Sequence, residues 1–244
     1  MAKNKKELKG VHKYAEFSQE SIIKRVQKMC DMRQALNPDE HHVRISYENR
    51  KTTALVPSVS LIPVADCKSC SLCSRGCYAV RNMCYLPTVQ KTLAINSSIA
   101  HNDLPRFFRE INYVVKFLKY FRFHVSGDIL NPAYFTGVVD VAFKNPQCQF
   151  LIFTKMSALI NDYLDDHPEG LPKNLHVILS GWRGDTNVNK HNLPVSSPVW
   201  PDGTKSCMAT DDAVWCPGDC SQCAEVNGGC WGLKNGQTVL FEAH

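Results

Sequence analysis

The side chains best suited to chemistry in this 244-residue chain are its twelve cysteines, most of which fall into two groups. The first group comprises Cys67, Cys70, Cys73 and Cys77, with Cys84 a little further on, and the second comprises Cys207, Cys216, Cys220, Cys223 and Cys230. Short gaps of two and three residues hold thiolate sulfurs at the separations that a metal ion or an iron–sulfur cluster requires. The spacing therefore predicts a metalloprotein with two cysteine-bound centres.

A disulfide framework is the rival interpretation of so many cysteines. Such frameworks are typical of small secreted domains, whereas 244 residues with 44% hydrophobic side chains can bury a core without them. The basic, polar N-terminus contains no apolar stretch of signal-peptide length, and no run approaches the roughly 20 apolar residues that span a bilayer. We therefore expect a protein of the reducing cytoplasm, with no membrane partner.

The formal net charge of +5 raises the hypothesis of a nucleic-acid partner. Much of the positive excess lies near the N-terminus, in Lys3, Lys5, Lys6, Lys9 and Lys13. Lysines in such a position commonly form a solvated terminus, and cysteine-ligated clusters would offset part of the charge. The sequence therefore supports a nucleic-acid partner only weakly.

Apolar periodicity predicts several helices around these cysteines. The first runs from Gln19 to Leu36 behind Ser18 as its N-cap, and the clearest occupies residues 104–118 with Asn102 or Asp103 as its cap. Shorter helices are predicted after Asn131-Pro132 and near residues 157–164.

Extended runs alternate with these helices. Residues 42–63 predict a hairpin or strand pair around Asn49-Arg50-Lys51, and later strands are predicted at FRFHV, QFLIFTK, LHVILSGW and TVLFEAH. Strands that alternate with helices indicate an α/β fold with a parallel sheet.

Polar residues follow the predicted strands at the points where each strand ends. They are Ser126, Gly127, Asp128, Lys155, Ser180 and Trp182, and Cys67 follows an earlier strand. Because the carboxyl ends of parallel strands share one edge, we expect a cofactor pocket there, with Asp128 hydrogen-bonding a ribose or amino group. Taken alone, the motifs SGD and SGW are as typical of a simple turn as of a binding site, and Lys155 could be a solvated surface residue.

Several of these motifs together resemble the bacteriophage gene-product-88-like family, which is similar to radical S-adenosylmethionine (SAM) proteins. They are Asn49-Arg50-Lys51-Thr52, Cys67, Cys73 and Cys77 with Tyr78-Ala79, FRFHVSGD, the strand end FTK, the C-terminal cysteines with Trp231, and the closing VLFEAH. The resemblance spans the chain from about His42 onward. It implies a partial (β/α) barrel of the radical-SAM type, followed by an irregular cysteine-rich segment.

The resemblance also implies an N-terminal iron–sulfur cluster held by Cys67, Cys73 and Cys77. Radical SAM proteins usually space these ligands as C-x3-C-x2-C, whereas this chain has C-x5-C-x3-C. Three thiolates on a 4Fe-4S cluster leave one iron open to SAM, but Cys70 as a fourth ligand would close it. The four cysteines would then have the spacing of a bacterial ferredoxin, which favours electron transfer.

The second centre is predicted at Cys216, Cys220, Cys223 and Cys230, with Cys207 as a substitute ligand or a buried free thiol. Glycines in this segment allow tight turns. The same four thiolates would suit zinc, and the family resemblance favours a 4Fe-4S cluster. The isolated Cys30, Cys84 and Cys148 are predicted core residues. His124 is interpreted as an ordinary hydrogen-bonded strand residue, with proton transfer as the alternative.

The chain divides into three predicted parts. These are an N-terminal helical extension (1–41), an α/β partial-barrel core with the first cluster loop (42–200), and a C-terminal cysteine-rich segment with the last strand (201–244). The leading hypothesis is an iron–sulfur protein of the bacterial cytoplasm that cleaves SAM reductively on an unknown small-molecule or macromolecular substrate, with a reductant protein as partner. The alternatives are a non-catalytic phage accessory or electron-transfer protein, or a zinc protein that binds a partner or nucleic acid.

Overall fold

The computed structural model describes residues 18–47, 55–68, 72–82, 84, 86–226 and 228–243. At its centre lies an open sheet of seven parallel strands, in the order β1-β2-β3-β4-β5-β7-β6. The strands are β1 (Ser58–Val59), β2 (Tyr120–Phe123), β3 (Gln149–Thr154), β4 (Leu175–Ser180), β5 (Val195–Val199), β6 (Ala213–Trp215) and β7 (Thr238–Glu242). The predicted α/β class with a parallel sheet is confirmed.

Seven α-helices accompany this sheet in the described residues. They are α1 (Gln19–Ala35), α2 (Tyr78–Asn82), α3 (Pro87–Asn102), α4 (Leu104–Val115), α5 (Pro132–Lys144), α6 (Ser157–Asp166) and α7 (Cys220–Glu225). None of the described helices is long and apolar enough to cross a membrane.

The predicted helix starts are confirmed by their capping hydrogen bonds. Ser18 Oγ accepts from Ser21 N at 3.2 Å, Asp103 Oδ1 from Arg106 N at 3.0 Å, and Asn131 Oδ1 from Tyr134 N at 2.8 Å. Each cap satisfies a backbone donor that the first helical turn leaves without an intrahelical partner.

The predicted hairpin and helix α3 are two of the places where the structure differs from the sequence-based prediction. The turn Asn49-Arg50-Lys51 lies outside the described residues. In the described parts of the flanking runs, a single antiparallel bridge joins Ser46 to Ser58. Helix α3 was missed because its buried face is polar as well as apolar. Asn96 and Ser97 are fully buried there, and Asn96 donates to the carbonyls of Arg44 and Ser60.

The main core lies between the sheet and helices α3 to α6. Aromatic rings dominate it: Phe107, Phe108 and Tyr134 pack edge to face or tilted against one another, and Phe123 stacks on Phe150. Because these rings anchor α4 and α5 to β2 and β3, they fix the ends of those strands, where the polar residues begin.

Candidate metal centre and ligand cavity

Both cysteine groups line one cavity of about 210 Å³ at the carboxyl ends of the central strands. The first group contributes Cys67, Cys73 and Cys77, and the second contributes Cys216, Cys220 and Cys230. Cys70 lies outside the described residues. Sequence reasoning predicted two separate centres, and the structure brings six of their cysteines to a shared space.

The loop that carries the first group is tied to the rest of the fold by Asp66, whose side chain is fully buried. Its carboxylate accepts from Ile62 N at 2.9 Å, Arg33 Nη1 at 3.0 Å and His101 Nε2 at 2.8 Å. Asp66, which directly precedes Cys67, therefore links α1 and α3 to the first cysteine loop. Val64, in the same loop, has a φ of +69°, which is strained for a β-branched residue.

The turn after β2 packs against this loop. Ser126 Oγ donates to Leu61 O at 2.8 Å, and Asp128 N donates to Asp66 O at 3.0 Å. Gly127 has a φ of +82°, and a Cβ there would lie 2.6 Å from Leu61 Cβ, so only glycine fits. The turn after β2 and the first cysteine loop therefore form one unit.

Asp128 is buried, and its carboxylate accepts three internal hydrogen bonds. Oδ1 accepts from Thr154 Oγ1 at 2.6 Å and from Ile129 N at 2.8 Å, and Oδ2 accepts from Lys155 N at 2.9 Å. Burial raises the pKa of Asp128, and these hydrogen bonds partly oppose the rise. In the structure Asp128 joins the ends of β2 and β3, and at most Oδ2 retains a lone pair for a ligand.

Five of the six predicted cofactor-binding residues line the cavity, namely Ser126, Gly127, Asp128, Lys155 and Ser180. Lys155 Nζ donates to Ser180 Oγ at 3.0 Å and lies 5.7 Å from the ring centroid of Trp182. Trp182 does not line the cavity, and its indole packs edge-on against Trp200, 5.0 Å between centroids. Trp182 therefore lies behind the cavity lining, where its ring contacts Lys155.

The second cysteine group lies on α7 and the turns beside it. Asp219 caps α7, with Oδ1 accepting from Ser221 N at 2.8 Å. Cys223, on the inner side of this helix, packs in an apolar cluster with Tyr120 and Trp231, while Trp231 Nε1 donates to Cys220 O at 3.4 Å. Cys216, Cys220, Cys223 and Cys230 also line a small void of about 20 Å³. The four predicted ligands of the second centre therefore lie together.

One buried thiol in each group, Cys77 and Cys230, resists ionisation in this arrangement. Burial, with Cys67 and Cys73 nearby, raises the pKa of Cys77 to about 11, and burial beside Cys216 and Cys220 raises that of Cys230 to about 12. Bound metal would supply the positive charge that holds such thiols as thiolates. Among the described residues, no three or more histidine, cysteine or acidic side chains already enclose a point where an ion could sit.

Arg122 is the site residue that sequence reasoning missed. It lies on β2, lines the cavity, and donates from Nη1 to Cys220 Sγ at 3.6 Å. Its guanidinium also covers the ring of Phe153, with 4.9 Å from Cζ to the centroid. The available signal was a lone arginine inside the otherwise apolar run FRFHV.

His124 lines the same cavity with an unusual backbone, because its φ is +61°. Burial lowers the pKa of its imidazole to about 3, so the ring is neutral. Its Nε2 lies 2.9 Å from Tyr134 Oη, which confirms the expected hydrogen bond, and its buried Nδ1 has no hydrogen-bond partner among the residues that the structure describes.

The remaining cysteines lie apart from the cavity lining. Cys84 and Cys148 are buried in apolar clusters and Cys30 packs beside Cys84, which confirms their predicted role in the core. Cys207 donates from Sγ to Asp185 Oδ1 at 3.2 Å and lines neither the cavity nor the small void. Cys207 is exposed, so the structure neither places it with the second group nor buries it as a free thiol.

An α/β protein with a parallel sheet and a cysteine-lined cavity at its strand ends is the class that this geometry defines. A comparison with family models matched residues 24–227 to the family described as Gene product 88. No curated protein and no solved structure matched the chain. The chain belongs to the Gene product 88 family, as its motifs predicted.

Proposed function

We propose that this protein is an iron–sulfur protein of the radical-SAM-like type, with its reaction in the cavity between the two cysteine groups. The observation that carries the proposal is that Cys67, Cys73 and Cys77 line the same cavity as Cys216, Cys220 and Cys230, at the carboxyl ends of a parallel sheet. That edge is where α/β proteins of this kind hold ligands.

The donor set fits iron–sulfur clusters. Three cavity-facing thiols in the first loop, and four thiols around the small void at α7, match the numbers of ligands that 4Fe-4S clusters take. Bound there, such clusters would supply single electrons. Zinc at the second group is the alternative that the same thiols allow.

The protein's own residues hold and orient what binds. Asp66 fixes the first loop, Asp128 joins the ends of β2 and β3, and Lys155 with Ser180 presents polar groups at the next strand ends. SAM would lie along these strand ends, within reach of Ser126 and Gly127. A reductant protein would supply electrons from outside.

The strand order supports the partial-barrel part of the proposal. Strands β1 to β5 follow one another in chain order, all parallel, as consecutive units of a (β/α) barrel do. The sheet remains open in the structure, so β6 and β7 extend its edge beside β5.

Oxygen-free purification followed by analysis of iron, acid-labile sulfide and zinc tests the clusters. We expect about eight irons per chain if both groups bind 4Fe-4S clusters, and about four irons with one zinc if the second binds zinc. Replacing Cys67, Cys73 and Cys77 together with alanine should remove about four irons. The Cys148→Ala variant is the matched control, because this cysteine is buried in the core away from the cavity. Absence of both iron and sulfide would refute the proposal.

The SAM step has its own test. Given an external one-electron donor and a hydrogen-atom donor (substrate or assay reductant), the iron-loaded protein should convert SAM to 5′-deoxyadenosine and methionine. Adding SAM should also change the spectrum of the first cluster. If iron and sulfide are present but neither effect is seen, the radical-SAM part is wrong. The remaining interpretation is then an electron-transfer or structural iron–sulfur protein.

A further inference from the structure

Three of the four most exposed large apolar side chains in the described residues are aromatic, and they lie at the ends of two neighbouring helices. Tyr113 on α4 is 68% exposed, Phe117 just after α4 is 79% exposed, and Phe143 near the end of α5 is 77% exposed. The rings of Tyr113 and Phe117 contact each other edge-on, with 6.2 Å between centroids. Single exposed apolar residues are ordinary, whereas a group of rings in solvent indicates a binding surface.

Hydrogen bonds join the ends of α4 and α5. Asn145, directly after α5, donates from Nδ2 to Asn112 Oδ1 at 2.7 Å, and Gln149 N donates to Lys119 O at 2.9 Å where β3 begins. The two helix ends therefore present the three rings from the amino-terminal edge of β2 and β3. The cysteine-lined cavity lies at the opposite edge of the sheet.

Lysines accompany the rings. Lys116, Lys119 and Lys144 are exposed, and none of them forms an ion pair within the part of the chain that the structure describes. Lys119 Nζ lies 5.5 Å from the ring centroid of Tyr120. We define the aromatic surface as Tyr113, Phe117 and Phe143 together with Lys116, Lys119 and Lys144.

The helix ends contribute no negative charge that would balance these lysines. Residues 111–119 and 141–149 contain no aspartate or glutamate. Of the acidic residues that flank them, Glu110 accepts from Arg106 Nε at 2.8 Å, and Asp140 shares the groove between α4 and α5 with one arginine and one lysine. The aromatic surface is therefore positive, and the partner that complements it is an anion.

Charge and exposed rings together favour one kind of anionic partner. A second copy of the chain in a two-fold dimer would bring the same lysines against each other. A nucleic-acid duplex keeps its base faces stacked inside. A single strand offers each base as a face for an aromatic ring and each phosphate as a partner for a lysine.

We propose that the aromatic surface binds single-stranded nucleic acid, with its three rings stacking on bases and its three lysines pairing with phosphates. This inference goes beyond the proposed function and does not depend on it, because the surface and the cysteines lie at opposite edges of the sheet. DNA and RNA strands share this chemistry, so the experiment compares them.

Fluorescence anisotropy of the full chain tests the surface with labelled oligothymidylate and oligouridylate of about twelve nucleotides, a usual site size. We expect a dissociation constant of about 10 μM at about 50 mM salt, and three phosphate contacts predict a slope of about −2 for log affinity against log salt. Binding of either strand supports the proposal and identifies the preferred one, and binding of neither refutes it. The matched duplex should bind at least tenfold more weakly, and equal binding would overturn the proposal.

Variants of Phe117 show whether a ring makes the contact. Phe117→Ala and Phe117→Leu should each weaken binding about tenfold, because leucine is apolar but has no flat face, and Phe117→Tyr should retain it. Ile23→Ala, which removes an exposed apolar side chain on α1, is the control and should bind like the parent. Because both positions are exposed, these variants should fold. Parental affinity in Phe117→Ala or in Phe117→Leu would overturn the proposal.

The lysine-rich N-terminus is a separate source of positive charge. Replacing the five lysines between residues 3 and 13 with glutamine should leave the effect of Phe117→Ala in place. Loss of all oligonucleotide binding on this replacement would assign the binding to the terminus and refute the proposal. A dimer that Phe117→Ala dissociates, or Phe117-dependent binding to phosphatidylserine vesicles without oligonucleotide binding, would also refute it.

Discussion

The two cysteine groups line one cavity but are held in place by different forces. The first group follows a buried carboxylate, Asp66, which accepts hydrogen bonds from Arg33 on α1 and His101 on α3. The second group lies on a six-residue helix and its turns, where Cys223 packs against Tyr120 and Trp231. One loop is positioned by charge and hydrogen bonds, and the other by a small apolar cluster.

This difference predicts different dependence on metal. The network around Asp66 joins α1, α3 and the turn after β2, so the first loop has a protein framework of its own. Helix α7 is too short to be stable alone, and Cys216 and Cys230 lie outside it in irregular segments. We therefore expect bound metal to order the second group more than the first.

The largest effect should follow removal of a ligand from the second group. In the metal-loaded protein, Cys220→Ala should lower the local stability of residues 213–233 by about 5 kcal/mol, because several turns depend on one centre. Hydrogen exchange read by mass spectrometry would show this as lost protection confined to that segment.

Cys148→Ala is the control for this prediction. Cys148 is fully buried in the main core, so the substitution should cost only about 1 kcal/mol, with no change in metal content. Equal losses for both variants would show that the second group does not depend on metal, and the contrast with the first group would disappear.

Replacing the central carboxylate of the first loop should have the next largest effect. Asp66→Asn removes the negative charge that faces Arg33 and His101 and should lower the free energy of unfolding by about 4 kcal/mol, since it leaves the partly buried Arg33 without its carboxylate partner. Chemical denaturation measures this loss, and iron analysis should show that the first group loses its metal.

Asp165→Asn provides the matched control. Asp165 pairs with Lys190 and His191 at the surface, where solvent screens the charges, so its loss should change stability far less. Similar losses for the two variants would mean that Asp66 has no special role in holding the first loop.

The sequence predicted those features of the molecule that depend on neighbouring residues, namely the fold elements and the spacing within each cysteine group. Helix caps such as Ser18 and Asn131, and the strands that precede polar residues, follow from local patterns, so the α/β fold was predictable. The cysteine spacing predicted both groups of candidate ligands, because ligand spacing within one loop is a local property.

The shared cavity was not predictable, because it depends on how distant segments pack. Residues 67 and 220 meet only after β5 and β7 pair and place α7 beside the central strands. Arg122 was missed for the same reason, since its partner Cys220 lies 98 residues away in the chain. Strand β5 was missed because its buried positions include Ser196 and Ser197, which a search for apolar runs passes over.

The smallest expected effects come from alanine substitutions at two glycines, one beside each cysteine group. They test whether the two groups depend on metal to different degrees. Both Gly127 and Gly229 have positive φ, +82° and +55°. Gly127→Ala should lower the free energy of unfolding by about 3 kcal/mol, because positive φ costs ~1 kcal/mol and the new Cβ meets the backbone of Leu61, which cannot move aside. Thermal unfolding of the metal-free protein measures this loss.

At Gly229, the Cβ of a new alanine would contact a side chain and not the backbone. A Cβ there would lie 2.5 Å from Cys223 Sγ, which can rotate away, and 3.1 Å from Cys223 Cβ, which must shift slightly. Gly229→Ala should therefore cost about 1–2 kcal/mol in the metal-free protein, less than Gly127→Ala. In the metal-loaded protein, Gly229→Ala should have a further effect, because rotating Cys223 removes a ligand from the second group and lowers its metal content.

Gly218→Ala is the control. At a φ of +89° with nothing within 4 Å of a new Cβ, this substitution should show the backbone cost without the loss of metal. If Gly229→Ala and Gly218→Ala retain equal metal, Cys223 is not a ligand, and the second group holds its centre through Cys216, Cys220 and Cys230.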